Sequence, residues 1–453
     1  METTQANRRV VLVVMCVGYF LVLLDVTIVN VALPHIGADL GTNVAGLQWV
    51  VAGYALALAS LMLGAGTLGD LRGHKRVVLG GLALFGIASL GCALAPGVGA
   101  LVAFRVAQGV GAAVMLPGTL AVIANAFPAS GEQAKAIGIW AGIGSVALPC
   151  GPLLGGLLTD SLGWRAIFFL NVPLVAIALV VASRVVDESR DPQARKLDTP
   201  GVVLGAGALA ALVFTCIRAG QSGVSPVVAA AAIVATALGA AFVRTERASE
   251  HPLLPMRLFR RPAFLTANGV AGTMNLCTLG LLFVMTLYLQ ELRHESALKA
   301  GVELVPLFVP LVVLAPIAGR VAARVGPRWP MAVGLVVAAA GTALLTRLDA
   351  SSAYTTILPA LLLWGIGLGF LTPAVVSAAI AAVPAARAGL ASAVNNTARQ
   401  ACGAIGIAAF GAIAGDPGGQ RFLSGLHAEG AMAAALFVVA AIASLAFIPD
   451  PPG

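Results

Sequence analysis

Charge is scarce in this chain. Only 10% of its 453 residues are Asp, Glu, Lys or Arg, whereas 59% are hydrophobic; soluble domains carry roughly 25% charged residues. A water-soluble fold is therefore excluded, and the absence of any long polar tract leaves no room for a large soluble domain. Cysteines are few and scattered: Cys16, Cys92, Cys150, Cys216, Cys277 and Cys402 lie inside apolar runs with no close pair, which excludes a disulfide framework or a thiolate metal cluster and reads as small buried filler. The five histidines (His35, His74, His251, His294, His427) are dispersed among loops and span ends, so a nucleophile–base pair or a histidine metal site has no basis. There are four lysines and no Gly-x-x-x-x-Gly-Lys-Ser/Thr loop, which argues against direct use of ATP. No catalytic residue, metal site or cofactor is expected.

What remains is a series of apolar runs separated by short basic gaps. At about 20 residues per span, fourteen spans need about 280 residues and fit the length. The runs fall near 10–33, 48–68, 77–95, 100–125, 136–159, 165–183, 200–217, 225–243, 263–289, 300–319, 329–346, 353–381, 389–414 and 430–448. This is an all-α polytopic membrane protein. The Arg8-Arg9 pair precedes an apolar stretch longer than a signal-peptide core, so a retained first span is expected.

The net charge of +8 does not point to nucleic acid, because the basic residues sit in the gaps, where they mark topology and meet lipid headgroups. With the N-terminus inside, 19 Lys/Arg fall on the cytoplasmic side, 6 outside, and two, Arg105 and Arg399, within spans. Both termini are therefore expected in the cytoplasm.

The longest polar gaps, 184–199 and 244–262, bracket spans 7 and 8. Removing that pair leaves six spans on each side, and the halves echo each other: Gly66 and Gly73 are seven residues apart before Lys75-Arg76, as Gly319 and Gly326 are before Arg328. The expected organisation is an N-terminal six-helix bundle (1–186), a central linker with spans 7 and 8 (187–262) and a C-terminal six-helix bundle (263–453), with a substrate cavity between the bundles. Spans 7 and 8 show no evident chemistry and read as a peripheral hairpin that tethers the bundles or faces lipid.

Asp25 lies about 22 Å along span 1 from Val10, well inside the bilayer. An ionised carboxylate there is costly, so its protonation should respond to whichever side supplies water, the physics of a proton-coupling site. A permanently paired Asp that only clamps span 1 to a neighbour is the alternative. Arg105 in span 4 is the second intramembrane charge. It either moves relative to the carboxylate, coupling proton release to conformation, or clamps backbone carbonyls. Gln108, one turn on, extends the polar set. Gly66, Asp70, Arg72, Gly73, Lys75 and Arg76 make a charged cytoplasmic turn suited to a latch, although such turns often only mark topology. In span 5, Pro149, Gly151, Pro152, Gly155 and Gly156 combine a kink with close helix packing.

Together these segments resemble the major facilitator superfamily and, within it, the fourteen-span drug:proton antiporters of the multidrug efflux type. The resemblance covers nearly the whole chain. It rests on Leu24-Asp25-x-Thr27-Ile28-Val29-Asn30-Val31-Ala32-Leu33-Pro34, Leu47-Gln48-Trp49-Val50 with Tyr54, the Gly66–Arg76 turn, Arg105-x-x-Gln108-Gly109-x-Gly111, Gly151-Pro152-x-x-Gly155-Gly156, Trp164-Arg165, Asn171-Val172-Pro173, and Asn395-Asn396-x-x-Arg399-Gln400. Leu71 stands where the family usually has Arg, with Arg72 displaced by one. Ala323 replaces the Asp of the C-terminal copy, so the two gates are not equivalent, and Ala147 stands where the span-5 signature begins with Gly.

The resemblance implies a monomeric exporter in a bacterial cytoplasmic (inner) membrane that exchanges a small-molecule substrate for protons by alternating access. The cavity is expected to draw on spans 1, 2, 4, 5, 9, 10, 12 and 13, with Asn30, Gln48, Tyr54, Gln108, Asn268, Asn275, Glu303, Trp364, Asn395, Asn396 and Arg399 as candidate substrate contacts, under half of them touching ligand and the rest holding helices together. Amphipathic drugs, dyes or natural products with at most one positive charge fit the few acids available. Arg399 leaves open a single antibiotic or an anionic metabolite, carried by a narrow exporter or facilitator.

Overall fold

A computed structural model describes residues 5–190, 198–250, 252–384, 387–419 and 421–449. Residues 191–197, within the polar gap assigned to the cytoplasmic side, lie outside the described residues. In a bilayer a backbone must satisfy its own hydrogen bonds, and the described residues do so with helices and no strands. In chain order these are α1 (Gln5–Leu40), α2 (Val44–Arg72), α3 (His74–Ala93), α4 (Val98–Ala126), α5 (Ser130–Leu162), α6 (Arg165–Phe169), α7 (Asn171–Val185), α8 (Thr199–Ser222), α9 (Pro226–Ala248), α10 (Pro262–Leu287), α11 (Ala297–Val325), α12 (Arg328–Leu344), α13 (Tyr354–Ala381), α14 (Ala388–Ala414) and α15 (Phe422–Phe447).

Among the described residues thirteen helices, with α6 and α7 counted as one span, are long and apolar enough to cross a membrane. Helix α14 has 27 residues but carries Asn395, Asn396, Arg399 and Gln400. The helices run past the apolar stretches at several ends. Helix α1 continues through Pro34 to Leu40 rather than stopping near residue 33. Helix α15 begins eight residues before the expected residue 430, at Phe422, and so buries Glu429, which the sequence places at the edge of the span. Polar side chains cap the entries: Asn43 accepts from Gly46 N at 3.2 Å, and Asp198 from Gly201 N at 2.9 Å. Between α2 and α3 the chain reverses at Gly73, whose φ of +100° is open to glycine and strained for any other residue.

The halves echo each other in packing as well as in the turns at Gly73 and Gly326. Gly111 meets the Gly81 carbonyl where α4 crosses α3, and Gly367 meets the Gly334 carbonyl where α13 crosses α12. Likewise Gly109 abuts the Tyr54 carbonyl of α2, and Gly365 the Leu307 carbonyl of α11. Each is a backbone approach that a Cβ would block. Helices α8 and α9 form a hairpin; α8 rests on α2 and α14, while α9 buries only Val228 and Glu246 and exposes apolar side chains such as Ile233 outward.

Candidate functional site

Helices α1, α2, α4 and α5 on one side and α10, α11, α13 and α14 on the other enclose a cavity of about 760 Å³, edged by Pro252, Leu253 and Pro255. That volume lies within the range of about 300–1,000 Å³ usual for small-molecule sites. The cavity reaches Gly66, Thr67 and Asp70 at the end of α2, Ala124 at the end of α4 and Gly389 at the start of α14, so its mouth is on the face carrying the Gly66–Arg76 turn.

The opposite face is sealed by bonds between the two sets of helices. Gln48 Nε2 on α2 donates to the carbonyls of Ile407 (3.1 Å) and Ala408 (2.9 Å) on α14. Gln290 Nε2 donates to the Val31 carbonyl of α1 at 2.8 Å. The Asp160 carboxylate, at the end of α5, accepts the backbone N–H groups of Ala297 (3.1 Å) and Leu298 (2.9 Å), the opening residues of α11. The span-5 motif lies directly beneath. Gly151 and Gly155 press α5 onto α1 at Thr27 and Ile28, and Gly156 presses it onto α11 at Ala297 and Leu298. The Pro152 carbonyl sits where a Cβ on Gly301 would go. The motif is thus the joint of the closed face. Pro149 lies within the same helix.

Asp25 lies off the cavity. The α1 residues that line it are Tyr19, Leu23, Val26 and Thr27, and at about 100° per residue Asp25 sits about 120° around the helix from Tyr19, turned into its own half. There Arg105 Nη1 donates to Asp25 Oδ2 and to Gln108 Oε1 (2.7 Å), while Gln108 Nε2 donates to Asp25 Oδ1 (2.9 Å) and to Ser89 Oγ (2.9 Å). Arg105 Nε donates to the Val50 carbonyl at 3.0 Å, and its guanidinium lies 4.3 Å from the Tyr54 ring centre. Asn171 Nδ2 reaches Ser89 Oγ at 3.4 Å. Both charged side chains are 0% exposed. In this conformation Asp25 and Arg105 form a sealed ion pair held by α1, α2, α3, α4 and α7.

Of the candidate substrate contacts, Asn275, Asn396 and Arg399 line the cavity. The others are buried elsewhere. Tyr54 and Gln108 belong to the Asp25 network and Gln48 to the sealed face. Asn30 and Asn268 donate back to carbonyls of their own helices, at Val26 and Phe264. Asn395 donates to Asn268 at 3.4 Å. Trp364 is fully buried against Gly341, and Glu303 is buried in α11 with its carbonyl bonded to Tyr354.

At the mouth, Asp70 Oδ1 pairs with His74 Nε2 at 3.2 Å on the same turn, while Leu71 and Arg72 point outward. Lys75 and Arg76 meet Glu188, beyond α7: Lys75 N donates to Oε1 at 3.0 Å, and Arg76 Nε lies 3.5 Å from Oε2. A Cβ on Gly73 would collide with that carboxylate. The turn is therefore held within its own half while the mouth is open.

Several site residues escaped the sequence reading. Glu188, Asp160 and Gln290 are loop or helix-end residues whose partners lie over a hundred positions away. Tyr19 and Trp140 line the cavity, their rings stacked at 3.8 Å and 12°. The spacing of Tyr19, Leu23 and Val26 on one helical stripe was the available signal. Glu246 Oε2 accepts the Leu254 amide at 2.8 Å, so the α8–α9 hairpin also positions the cavity edge at 252–255.

A pathway-sized cavity sunk among membrane-spanning helices, open at one face and bolted at the other, defines a polytopic transporter of small molecules. The sequence supplies the lineage: it matches the Major Facilitator Superfamily over residues 15–407 and again over 313–453, and the chain belongs to that superfamily. It is 37% identical over 397 residues to the multidrug resistance protein Stp of Mycobacterium tuberculosis, covering 87% of this chain and 74% of that protein. It is 35% identical over 402 residues to the methylenomycin A resistance protein of Streptomyces coelicolor (87% and 83%), and 35% identical over 413 residues to the tetracenomycin C resistance and export protein of Streptomyces glaucescens (91% and 77%). Among solved structures it shares the fold of a bacterial homolog of the human lysosomal transporter Spinster in an inward-facing, unoccupied conformation (TM-score 0.68, 18% identity, 98% of both chains). It also shares that of a POT family transporter in complex with 5-aminolevulinic acid (TM-score 0.70, 14% identity, 97% and 96%).

Proposed function

We propose that this protein is a fourteen-span, proton-coupled exporter of amphipathic drugs, dyes or natural products, working by alternating access as a monomer in a bacterial cytoplasmic membrane. In this reading α14 also crosses the membrane, as span 13, and brings the count to fourteen, its polar residues turned to the cavity and to neighbouring helices. Residues 1–186 and 263–453 are the two moving bundles, 187–262 the tether, and both termini are cytoplasmic. The observation that carries it is the asymmetry of the cavity: open on the basic face, sealed by cross-half hydrogen bonds on the other, which is a state ready to load from the cytoplasm. The resistance functions named for the relatives support an outward direction of transport.

Asp25 is the proton carrier in this scheme and Arg105 its counter-charge. With the pair closed off from the cavity, proton exchange requires the network to open as the bundles rock. Protonation removes the negative member of the pair and weakens the clamp between α1 and α4, making that movement easier. The Gly66–Arg76 turn, freed from Glu188, then serves as the cytoplasmic latch. The test is uptake into inside-out vesicles with an imposed pH gradient. Accumulation of a transported compound that collapses with an uncoupler supports coupled export, and accumulation indifferent to the uncoupler rejects it. A narrow-substrate exporter or facilitator is the second reading, favoured by Arg399 on the cavity wall; in that case one compound class moves and the rest of a chemically mixed panel does not.

A further inference from the structure

The cavity has two unlike walls. On one, the Tyr19 and Trp140 rings are stacked at 3.8 Å. This platform is built for its place, because Gly144, one turn beyond Trp140 on α5, leaves the space that the Tyr19 ring fills and that any Cβ would take. Trp140 Nε1 is buried without a hydrogen-bond partner among the described residues. On the facing wall, Arg399 lies about 16 Å into α14. Among the described residues its one hydrogen bond runs from Nε to Asn275 Oδ1 at 3.4 Å. Tyr19 and Arg399 line the same cavity from opposite sets of helices. The Thr278 hydroxyl beside them is also buried and unpartnered. Among the described residues Arg399 and Asp70 are the only charged residues of the lining, and Asp70 is at the mouth, paired with His74. A guanidinium this deep with one neutral partner retains unused donors directed at a site with no carboxylate of its own.

We infer that the preferred substrates are planar aromatic compounds bearing an anionic or strongly accepting group on one edge, the ring system lying on the Tyr19–Trp140 platform and the acceptor on Arg399. The inference rests on the cavity being the transport site and narrows its substrate class. An aromatic face gains dispersion and quadrupole contact from a stacked pair. A carboxylate or enolate gains charge-assisted, planar hydrogen bonds from arginine that an ammonium group cannot make. Cationic aromatic dyes meet a like charge with no acid nearby to offset it.

The test is equilibrium binding to the purified full-length protein in lipid nanodiscs, without a gradient, so that failure of export or of proton coupling does not touch the result. The probes are anthracene-2-carboxylate, its neutral carboxamide, the matching aminomethyl cation, and octanoate. The expected order is carboxylate tightest, carboxamide next, cation weakest, with octanoate at least about tenfold weaker than the aromatic carboxylate. Arg399→Gln should weaken the carboxylate about tenfold and the carboxamide less than about threefold, whereas Arg399→Lys keeps the preference for the anion. Trp140→Leu and Gly144→Ala should weaken all three aromatic probes and leave octanoate unchanged. Tightest binding of the cation overturns the inference, as does an anion-to-amide ratio unmoved by Arg399→Gln in a protein that remains monodisperse, or octanoate matching the aromatic acid.

Discussion

The carboxylate of Asp160 accepts the backbone N–H of Ala297 at 3.1 Å, so an acid at the end of α5 caps the first turn of α11 across the line between the two halves. Its second oxygen takes the next amide, Leu298, at 2.9 Å. A charged acceptor on a helix N-terminus is favoured by both the free N–H groups and the helix dipole. Unlike an ordinary cap, this one joins the two sets of helices across the sealed face, so it would have to break for that face to open.

Asp160→Ala should therefore shift the conformational balance rather than unfold the protein. Hydrogen bonds to a charged group contribute about 1.5–3 kcal/mol, so the outward-open fraction should rise about tenfold or more. Labelling of Ala300→Cys, buried in the closed state, by an impermeant maleimide in a background lacking the native cysteines reads that fraction directly. Asp160→Asn, which keeps one acceptor, should fall between. Unchanged labelling in Asp160→Ala would show that the glycine joint alone holds the face shut.

The glycine joint makes a sharper prediction. A Cβ at Gly156 would lie 2.6 Å from Leu298 Cα, and one at Gly155 2.7 Å from the Ile28 carbonyl, whereas nothing lies within 4 Å at Gly142 of the same helix. Gly156→Ala should prevent full closure and reduce export about tenfold or more, because backbone cannot step aside as a flexible side chain can. Gly142→Ala should leave flux within about twofold and add a little helix stability. Export assays on the two variants at matched expression separate packing at the joint from a general intolerance of α5.

The spans were legible because bilayer hydropathy is a one-dimensional signal, and the basic gaps bounding α2, α3, α10 and α11 marked most ends. Helix α15 shows the limit: Glu429 looks like a boundary, yet its helix starts at Phe422 and buries the acid. The identity of the polar residues was legible too, but not their direction. Asn30 and Asn268 donate their amide N–H groups to carbonyls four residues back, a bond that needs no cavity, whereas Asn275 and Asn396 face the cavity. In a membrane both fates give the amide donor a partner or a wet surface, and residue type does not choose between them. Asp160 and Gln290 were invisible for another reason: their partners are backbone atoms of a distant segment, which leave no mark in composition.

That distinction can be tested. Gln48→Leu removes two bonds of the sealed face and should raise outer-face labelling while leaving the affinity of the inward-facing state within about twofold, since Gln48 does not line the cavity. Asn396→Ala, on the cavity wall, should do the reverse and change the ranking of transported compounds. Competition binding and maleimide labelling on the same two proteins give four readings. Equal effects of both substitutions on affinity would erase the separation of gate from site.

The Asp25–Arg105 pair sets the severest test, because stability and coupling respond differently to its dissection. Both side chains are fully buried and bonded to each other. Breaking a buried pair by removing one partner costs about 3–5 kcal/mol, as the other charge is left uncompensated. Asp25→Asn and Arg105→Gln should each lower the melting temperature in detergent markedly, whereas the double substitution, with two neutral amides in a site already holding Gln108 and Ser89, should recover most of the loss. Uphill export should not recover with it. The double variant is expected to pass substrate down its own gradient and to be indifferent to an imposed pH gradient, because no carboxylate remains in the network. Restored stability together with full gradient-driven accumulation would mean that the pair only clamps α1 to α4 and that the proton crosses elsewhere.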